Sequence, residues 1–226
     1  MLDERNGTND MQTAQPLQIR AYESLKQMIL EGQFTAGEIY SETKTSKELG
    51  LSRTPMRDAI QRLSQEGYID VIPSKGFMLH EMTRQDLEDT YQVRCALEGY
   101  CAVHLAHLSD DPETLRVFHA LESLIRDMDA IASTTEDVEE FSVYDTEFHQ
   151  RLVYSLNNEA ISATFDAYHY RMRSQTVASL KTEGRLKNTV AEHRAMLESM
   201  KAGDITNSYM NTLNHIGQAK HLIELD

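Results

Sequence analysis

No apolar run in these 226 residues approaches the roughly 20 needed to cross a bilayer. The first ten residues, MLDERNGTND, are polar and acidic, so neither a membrane span nor a secretory signal is visible. Cysteine is scarce. Cys95 and Cys101 stand six apart on what reads as one helix and point to different faces, which excludes a disulfide framework. Two buried small hydrophobes in a reducing compartment fit better, and the expected location is the cytoplasm. A basic excess is also lacking: the net charge of −14 excludes a cationic coat. The acid is unevenly spread, with 9 Lys+Arg against 11 Asp+Glu in residues 1–80 and 13 against 25 in residues 81–226. A nearly neutral first part can still hold a polyanion if its few cations face one way, and that binding would be salt-sensitive. Strand signals are absent from Thr83 onward, leaving only helical periodicities there.

What is present begins after a polar, aperiodic stretch, residues 1–15, expected to be a disordered tail. Ile19, Tyr22, Leu25 and Ile29 mark a first helix that stops at Gly32. A short, weakly apolar helix follows from Ser41 or Glu42 to Leu49. After Gly50 comes the most informative stretch, Ser52 to Leu63. As a helix it puts Met56, Ala59, Ile60 and Leu63 on one side, and Arg53, Arg57 and Gln61 on another. Ser52 or Thr54 can cap its first turn, where Pro55 is tolerated. Such a helix is either amphipathic with a solvated face or one that presents guanidinium forks to phosphates and guanine edges in a DNA major groove. Residues 68–72 and 77–80 read as two strands around Pro73-Ser74-Lys75-Gly76, with Lys75 at the tip. Helix, turn, second helix and hairpin, in that order, compose a winged helix-turn-helix over residues 16–80 and point to double-stranded DNA.

These residues resemble a known family. Gly32-Gln33-Phe34-x-x-Gly37, Leu49-Gly50-Leu51-Ser52-Arg53-Thr54-Pro55-Met56-Arg57-Asp58-Ala59-Ile60, Leu63-x-x-Glu66-Gly67 and Lys75-Gly76-Phe77 look like the GntR family of bacterial transcription regulators. The resemblance implies that Arg53 and Arg57 contact an operator, that Ser52 and Thr54 touch phosphate, and that Lys75 and Gly76 of the wing reach the duplex. Two departures are visible: Thr43 stands where members often carry Arg, and Thr45-Ser46 replaces a usual Leu-Ala pair.

Residues 83–226 read as an antiparallel all-α bundle, making the chain mainly α. Thr83-x-x-Asp86 resembles a capping box opening a helix to about Leu108. Its stripe is Leu87, Tyr91, Arg94, Leu97, Cys101, Leu105 and Leu108. A second helix starts at Asp111-Pro112 (Leu115, Phe118, Leu121, Ile125, Met128), and a third runs from near Glu136 to about Asn157-Asn158 (Val138, Phe141, Phe148, Leu152). A fourth carries Ile161, Phe165, Tyr168 and Met172, a fifth Val190, Leu197 and Met200, and a sixth runs from Ile205 to the end.

Polar residues on these stripes carry the chemistry. Asp145 and His149 are four apart on one face, His193 lies between Val190 and Leu197, and His215 flanks Ile216. Each alone has an ordinary account, a salt-bridged Asp or a His satisfied by a carbonyl. Together, one carboxylate and three imidazoles suit Zn²⁺ or Ni²⁺ better than the all-oxygen shells of Ca²⁺ or Mg²⁺. Arg94 has two readings: a pair with Glu98 one turn on, or a clamp on a small carboxylate, with Arg171 and Arg173 as lesser contributors.

Val93-Arg94-x-x-Leu97-Glu98-Gly99, Asp145-x-x-Phe148-His149, Glu192-His193, Gly203-Asp204 and the late His215 are similar to the FCD ligand-binding domain of the FadR subfamily. That resemblance implies a homodimer, Asp145, His149, His193 and His215 as ligands of a divalent metal, and a small organic acid near Arg94. It also implies a pseudo-palindromic operator, with repression relieved by the acid as the commoner behaviour. Two rival readings are a sensor for which the metal alone is the signal, and a metal-dependent enzyme acting on a small acid.

Overall fold

The structure, a computed structural model, describes residues 16–224 and the side chains of residues 16–221. The expected tail, residues 1–15, and residues 225–226, to which the sequence extends the sixth bundle helix, lie outside the described residues. The chain forms two compact units, Met1–Glu81 and Met82–Asp226.

In the first unit α1 (Leu17–Leu30), α2 (Glu42–Glu48) and α3 (Arg53–Gln65) precede β1 (Ile69–Ile72) and β2 (Gly76–Leu79). The strands are antiparallel, from Ile69 opposite Leu79 to Ile72 opposite Gly76. Met56, Ala59, Ile60 and Leu63 of α3 are buried with Tyr22, Leu25 and Ile29 of α1, as the helical spacing predicts. Ile19 departs from that expectation. It is 41% exposed, and Ala21, one residue from Tyr22, holds the inward position instead. Ser52 occupies the N-cap of α3 without a side-chain hydrogen bond. Thr45 and Ser46 are buried in α2, where the Ser46 hydroxyl donates to the Thr43 carbonyl at 3.0 Å.

The wing is locked by its glycine. Gly76 has φ +137°, and a Cβ there would lie 1.9 Å from the Tyr40 carbonyl oxygen. That close approach lets Tyr40 and Phe77 exchange backbone hydrogen bonds of 2.7 and 3.0 Å, adding a bridge beside β2.

The second unit is helical throughout its described residues: α4 (Arg84–His107), α5 (Pro112–Ser133), α6 (Val138–Tyr154), α7 (Glu159–Leu180), α8 (Arg185–Lys201) and α9 (Ile205–Glu224). Side-chain caps set several starts. Thr83 and Asp86 form a reciprocal capping box, Asp111 and Asn158 each accept two backbone N–H bonds, and Asp137 accepts one from Glu140. The Asp137 cap starts α6 two residues later than Glu136, which is itself left-handed at φ +50°. At its other end α6 stops at Tyr154 because Asn157 (φ +50°) reverses the chain before Asn158 caps α7. One apolar core runs through α4 to α8, from Cys101 and Leu121 to Phe148, Phe165 and Met200. Leu108 and Leu115 lie outside it, 40% and 43% exposed near helix ends where the core has tapered. α4 and α9 approach closely at Gly99, where a Cβ would meet the Tyr209 ring at 2.8 Å. Among the described residues no helix is long and apolar enough to cross a membrane.

Candidate functional site

Four side chains from three helices meet inside the bundle. Asp145 and His149 come from successive turns of α6, His193 from α8 and His215 from α9. All four are buried, and each offers a ligand atom within 4.8 Å of the others. His215, placed on a helix flank by its sequence position, points inward here and is 4% exposed. The Nε2 of His149 lies 3.3 Å from that of His193 and 3.2 Å from that of His215. Asp145 stands further back, 3.9 Å from His149 Nε2 and 3.7 Å from His193 Nε2. The Phe148 ring stacks on His193 at 4.2 Å between centroids and fixes its plane.

The opposite ring nitrogens are held from behind. His149 Nδ1 meets Glu98 at 2.6 Å, and His215 Nδ1 meets Glu192 at 2.7 Å. Each glutamate is held by an arginine in turn. Arg94 Nε donates to Glu98 at 2.6 Å, and Arg185 donates to both Glu192 oxygens at 2.5 and 2.7 Å. Carboxylates behind Nδ1 put the ring proton there and turn the Nε2 lone pair towards the centre. The arginines keep those carboxylates ionised. Burial would raise Glu98, but Arg94 and His149 outweigh it and hold the carboxyl well below its usual range. Glu192 is likewise lowered to about 2 by His215 and Arg185 against the effect of burial. Burial, reinforced by the neighbouring imidazoles, pushes His193 well below the usual histidine range, and burial also lowers His215.

With the ring proton on Nδ1 of both His149 and His215, their inward lone pairs cannot hydrogen-bond each other, so that 3.2 Å contact is repulsive unless something positive lies between them. Charge agrees: Arg94 balances Glu98 and Arg185 balances Glu192, leaving Asp145 as the surplus buried anion. Three nitrogen donors, one carboxylate and one excess negative charge fit a divalent first-row cation. Two polar atoms of this arrangement, His193 Nδ1 and Arg185 Nε, are buried without a hydrogen-bond partner.

Arg94 combines both of its sequence readings. It is 3% exposed and paired with Glu98, yet it also lines a small void with Asp145, His149, Phe165, Met172 and Arg173. That void measures about 10 Å³, room for a water at most. Arg171 turns elsewhere, to Asp86 at 3.4 Å. Sequence reasoning missed Glu98 and Glu192 as supports of the histidines. Glu98 follows Arg94 by four and precedes Cys101 by three, so the buried stripe of α4 already contained that signal.

In the first unit Ser52, Arg53, Thr54, Arg57 and Gln61 are all exposed along one side of α3. Arg57 leans 3.6 Å from Glu42 but remains 76% exposed at its side chain. Lys75 is exposed in the turn between the strands, beside Ser74 in the left-handed region at φ +63°. A groove of about 420 Å³ runs between α3, the start of α2 and the wing, with Arg57, Gln61 and Lys75 on its walls. Gly76 lies at its edge, held against Tyr40.

A winged helix-turn-helix followed by a helical bundle is an architecture of DNA-binding transcription regulators. The comparisons make it specific: a model described as bacterial regulatory proteins, gntR family, matches residues 17–79, and one for the FCD domain matches residues 89–218. The chain belongs to the GntR family, with an FCD C-terminal domain, and is a DNA-binding transcriptional regulator and not an enzyme. It is 28% identical over 214 residues to an HTH-type transcriptional regulator, YdhC, of Bacillus subtilis (strain 168), covering 92% of this chain and 93% of that one. A gluconate operon transcriptional repressor of Bacillus licheniformis is 26% identical over 181 residues, 80% of this chain and 71% of that one. The solved structure of E. coli McbR/YncC superposes with a TM-score of 0.71 at 19% identity, covering 93% and 99% of the two chains. A GntR regulator from Rhodococcus sp. RHA1 gives 0.71 at 20%, covering 92% and 97%. Both likenesses establish the fold.

Proposed function

We propose that the chain is a homodimeric repressor that holds Zn²⁺ or Ni²⁺ on Asp145, His149, His193 and His215, and releases its operator when a small organic acid binds beside the metal. The observation that carries this is the convergence of three buried Nε2 atoms and a surplus carboxylate, with Glu98 and Glu192 fixing two of the rings. When bound, the ion supplies charge neutralisation and coordination positions that a carboxylate can occupy. Arg94, already committed to Glu98 along one edge, lines the adjoining void, so an incoming carboxylate competes for its guanidinium. Arg53, Arg57 and Lys75 reach base edges and phosphates from the exposed side of the winged unit, with Ser52 and Thr54 as phosphate donors. Gly76 serves by shaping the wing that carries Lys75. Two-fold symmetry makes the operator pseudo-palindromic, and the acid acts through its unequal affinity for the two dimer arrangements. Repression is the role carried in the name of the gluconate operon transcriptional repressors that the chain resembles.

One observation favours a second reading, in which the ion alone is the signal: the void beside the site is too small for an acid as it stands. Operator affinity measured against metal, with and without acid, separates the two. Full release that requires both supports the acid reading. A complete on-off response to metal alone removes the acid from the mechanism.

A further inference from the structure

An open groove of about 860 Å³ runs between α5 and α7 over the outward face of α6. Its walls carry Arg116 from α5, Glu147 and Arg151 from α6, and His169 and Arg173 from α7. Glu147 and Arg151 satisfy each other, with bonds of 2.6 and 2.9 Å. Among the described residues neither Arg116 nor Arg173 has an ion-pair partner. In a region with 13 basic against 25 acidic residues, two unpaired guanidinium groups facing one groove form a local anion-attracting surface.

The groove is not isolated from the buried centre. Thr146, His169 and Arg173 line both it and the small void that also touches Arg94, Asp145 and His149. Side chains common to two adjoining spaces form the wall between them, and Arg173 is the longest of these three. The void admits a water at most, whereas the groove has room for an organic acid. A carboxylate that reaches Arg94 must therefore displace this wall, and whatever it is attached to stays in the groove beside Arg173 and Arg116.

We infer that the acid carries two anionic groups: an inner carboxylate for the metal site and Arg94, and an outer carboxylate or phosphate-like group held by Arg173 and Arg116. This rests on the metal-and-acid reading above and deepens it, because a monoacid would leave both outer guanidinium groups unpaired. Arg173 is then the residue that sets specificity, forming part of the wall in the empty state and an anion clamp in the filled one.

The test uses metal-loaded full-length protein and calorimetry with acetate, malonate, phosphonoacetate, propionate and succinate. Malonate or phosphonoacetate should bind at least about tenfold more tightly than acetate, and succinate than propionate, the contribution of one charge-assisted bond. Whether malonate or phosphonoacetate is preferred assigns the outer group as carboxylate or phosphate-like. Arg173→Gln should erase the two-anion preference, bringing diacid affinity down to that of the matched monoacid while metal content stays unchanged, and Arg116→Gln should reduce it. Equal binding of monoacids and diacids, or a preference that survives Arg173→Gln, overturns this inference and leaves the acid reading intact. An equal loss for both acid types in Arg173→Gln also overturns it, placing Arg173 in the inner site. If metal binds but no acid does, the acid reading itself fails and takes this inference with it.

Discussion

Replacing Glu98 with Gln strikes the buried centre at two places that can be measured separately. The carboxylate is fully buried, 2.6 Å from Arg94 Nε and 2.6 Å from His149 Nδ1. Loss of its charge breaks the buried, hydrogen-bonded pair with Arg94, which costs about 3–5 kcal/mol of stability in the metal-free protein, with the surplus Asp145 charge offsetting only a lesser part. It also removes the anion behind His149, and weakened support of this kind lowers metal affinity about 10–100-fold, roughly 1.4–2.8 kcal/mol. The double variant Arg94→Met, Glu98→Gln should recover most of the stability, because a neutral pair replaces an ion pair, but should not recover the affinity. Glu192→Gln should cost less stability than Glu98→Gln, since the Glu192 side chain is 25% exposed and water screens Arg185. Urea denaturation of the stripped protein gives the first quantity, and competition with a chromophoric chelator gives the second. Unchanged metal affinity in Glu98→Gln would refute the view that this carboxylate orients a ligand.

On the winged unit, Arg53→Ala and Arg57→Ala should each weaken operator binding by about 1–3 kcal/mol if the arginine reads a base, with the fold intact because both side chains are exposed. Anisotropy titrations showing full affinity for both variants would exclude this face from the interface. Gly76→Ala forces a Cβ onto the Tyr40 carbonyl and should abolish exchange protection at the Tyr40 and Phe77 amides. Gly99→Ala meets the edge of a movable Tyr209 ring and should cost only about 1–2 kcal/mol, so a larger loss there than at Gly76 would contradict the packing described. Burial raises Cys101 to about 12 and also raises Cys95. A raised thiol pKa favours the neutral form, so Cys101 stays a thiol at pH 8. Native protein should leave Cys101 unmodified by a thiol reagent that labels it rapidly in denaturant, and rapid native labelling would show that the α4 core opens.

Much of the fold was legible because each helix declared its own period and its own ends. Met56, Ala59, Ile60 and Leu63 showed the buried side of α3 directly, and Thr83 and Asp111 cap the helices that their residue types suggest. Periodicity overreached at Ile19, Leu108 and Leu115, because it measures the direction of a face and not how far the core extends along it. The buried Asp and His residues could be found one helix at a time, as polar side chains on apolar stripes. Their convergence could not, because it depends on how α6, α8 and α9 are rotated against one another. Glu98 and Glu192 were missed for the same reason: a glutamate near an arginine looks like a helix-surface pair until a histidine from another helix is seen behind it. The shared wall of Thr146, His169 and Arg173 has no sequence signature, since α6 and α7 meet there only in three dimensions.

The central claim concerns what fills the space between the three Nε2 atoms. Stripped full-length protein titrated with Zn²⁺, with bound metal and thermal stability read together, should saturate at one ion per chain with a rise in melting temperature. His149→Ala should show neither. A chain that binds no metal at this site, or a His149→Ala variant that binds it at the same stoichiometry and affinity, would contradict the account.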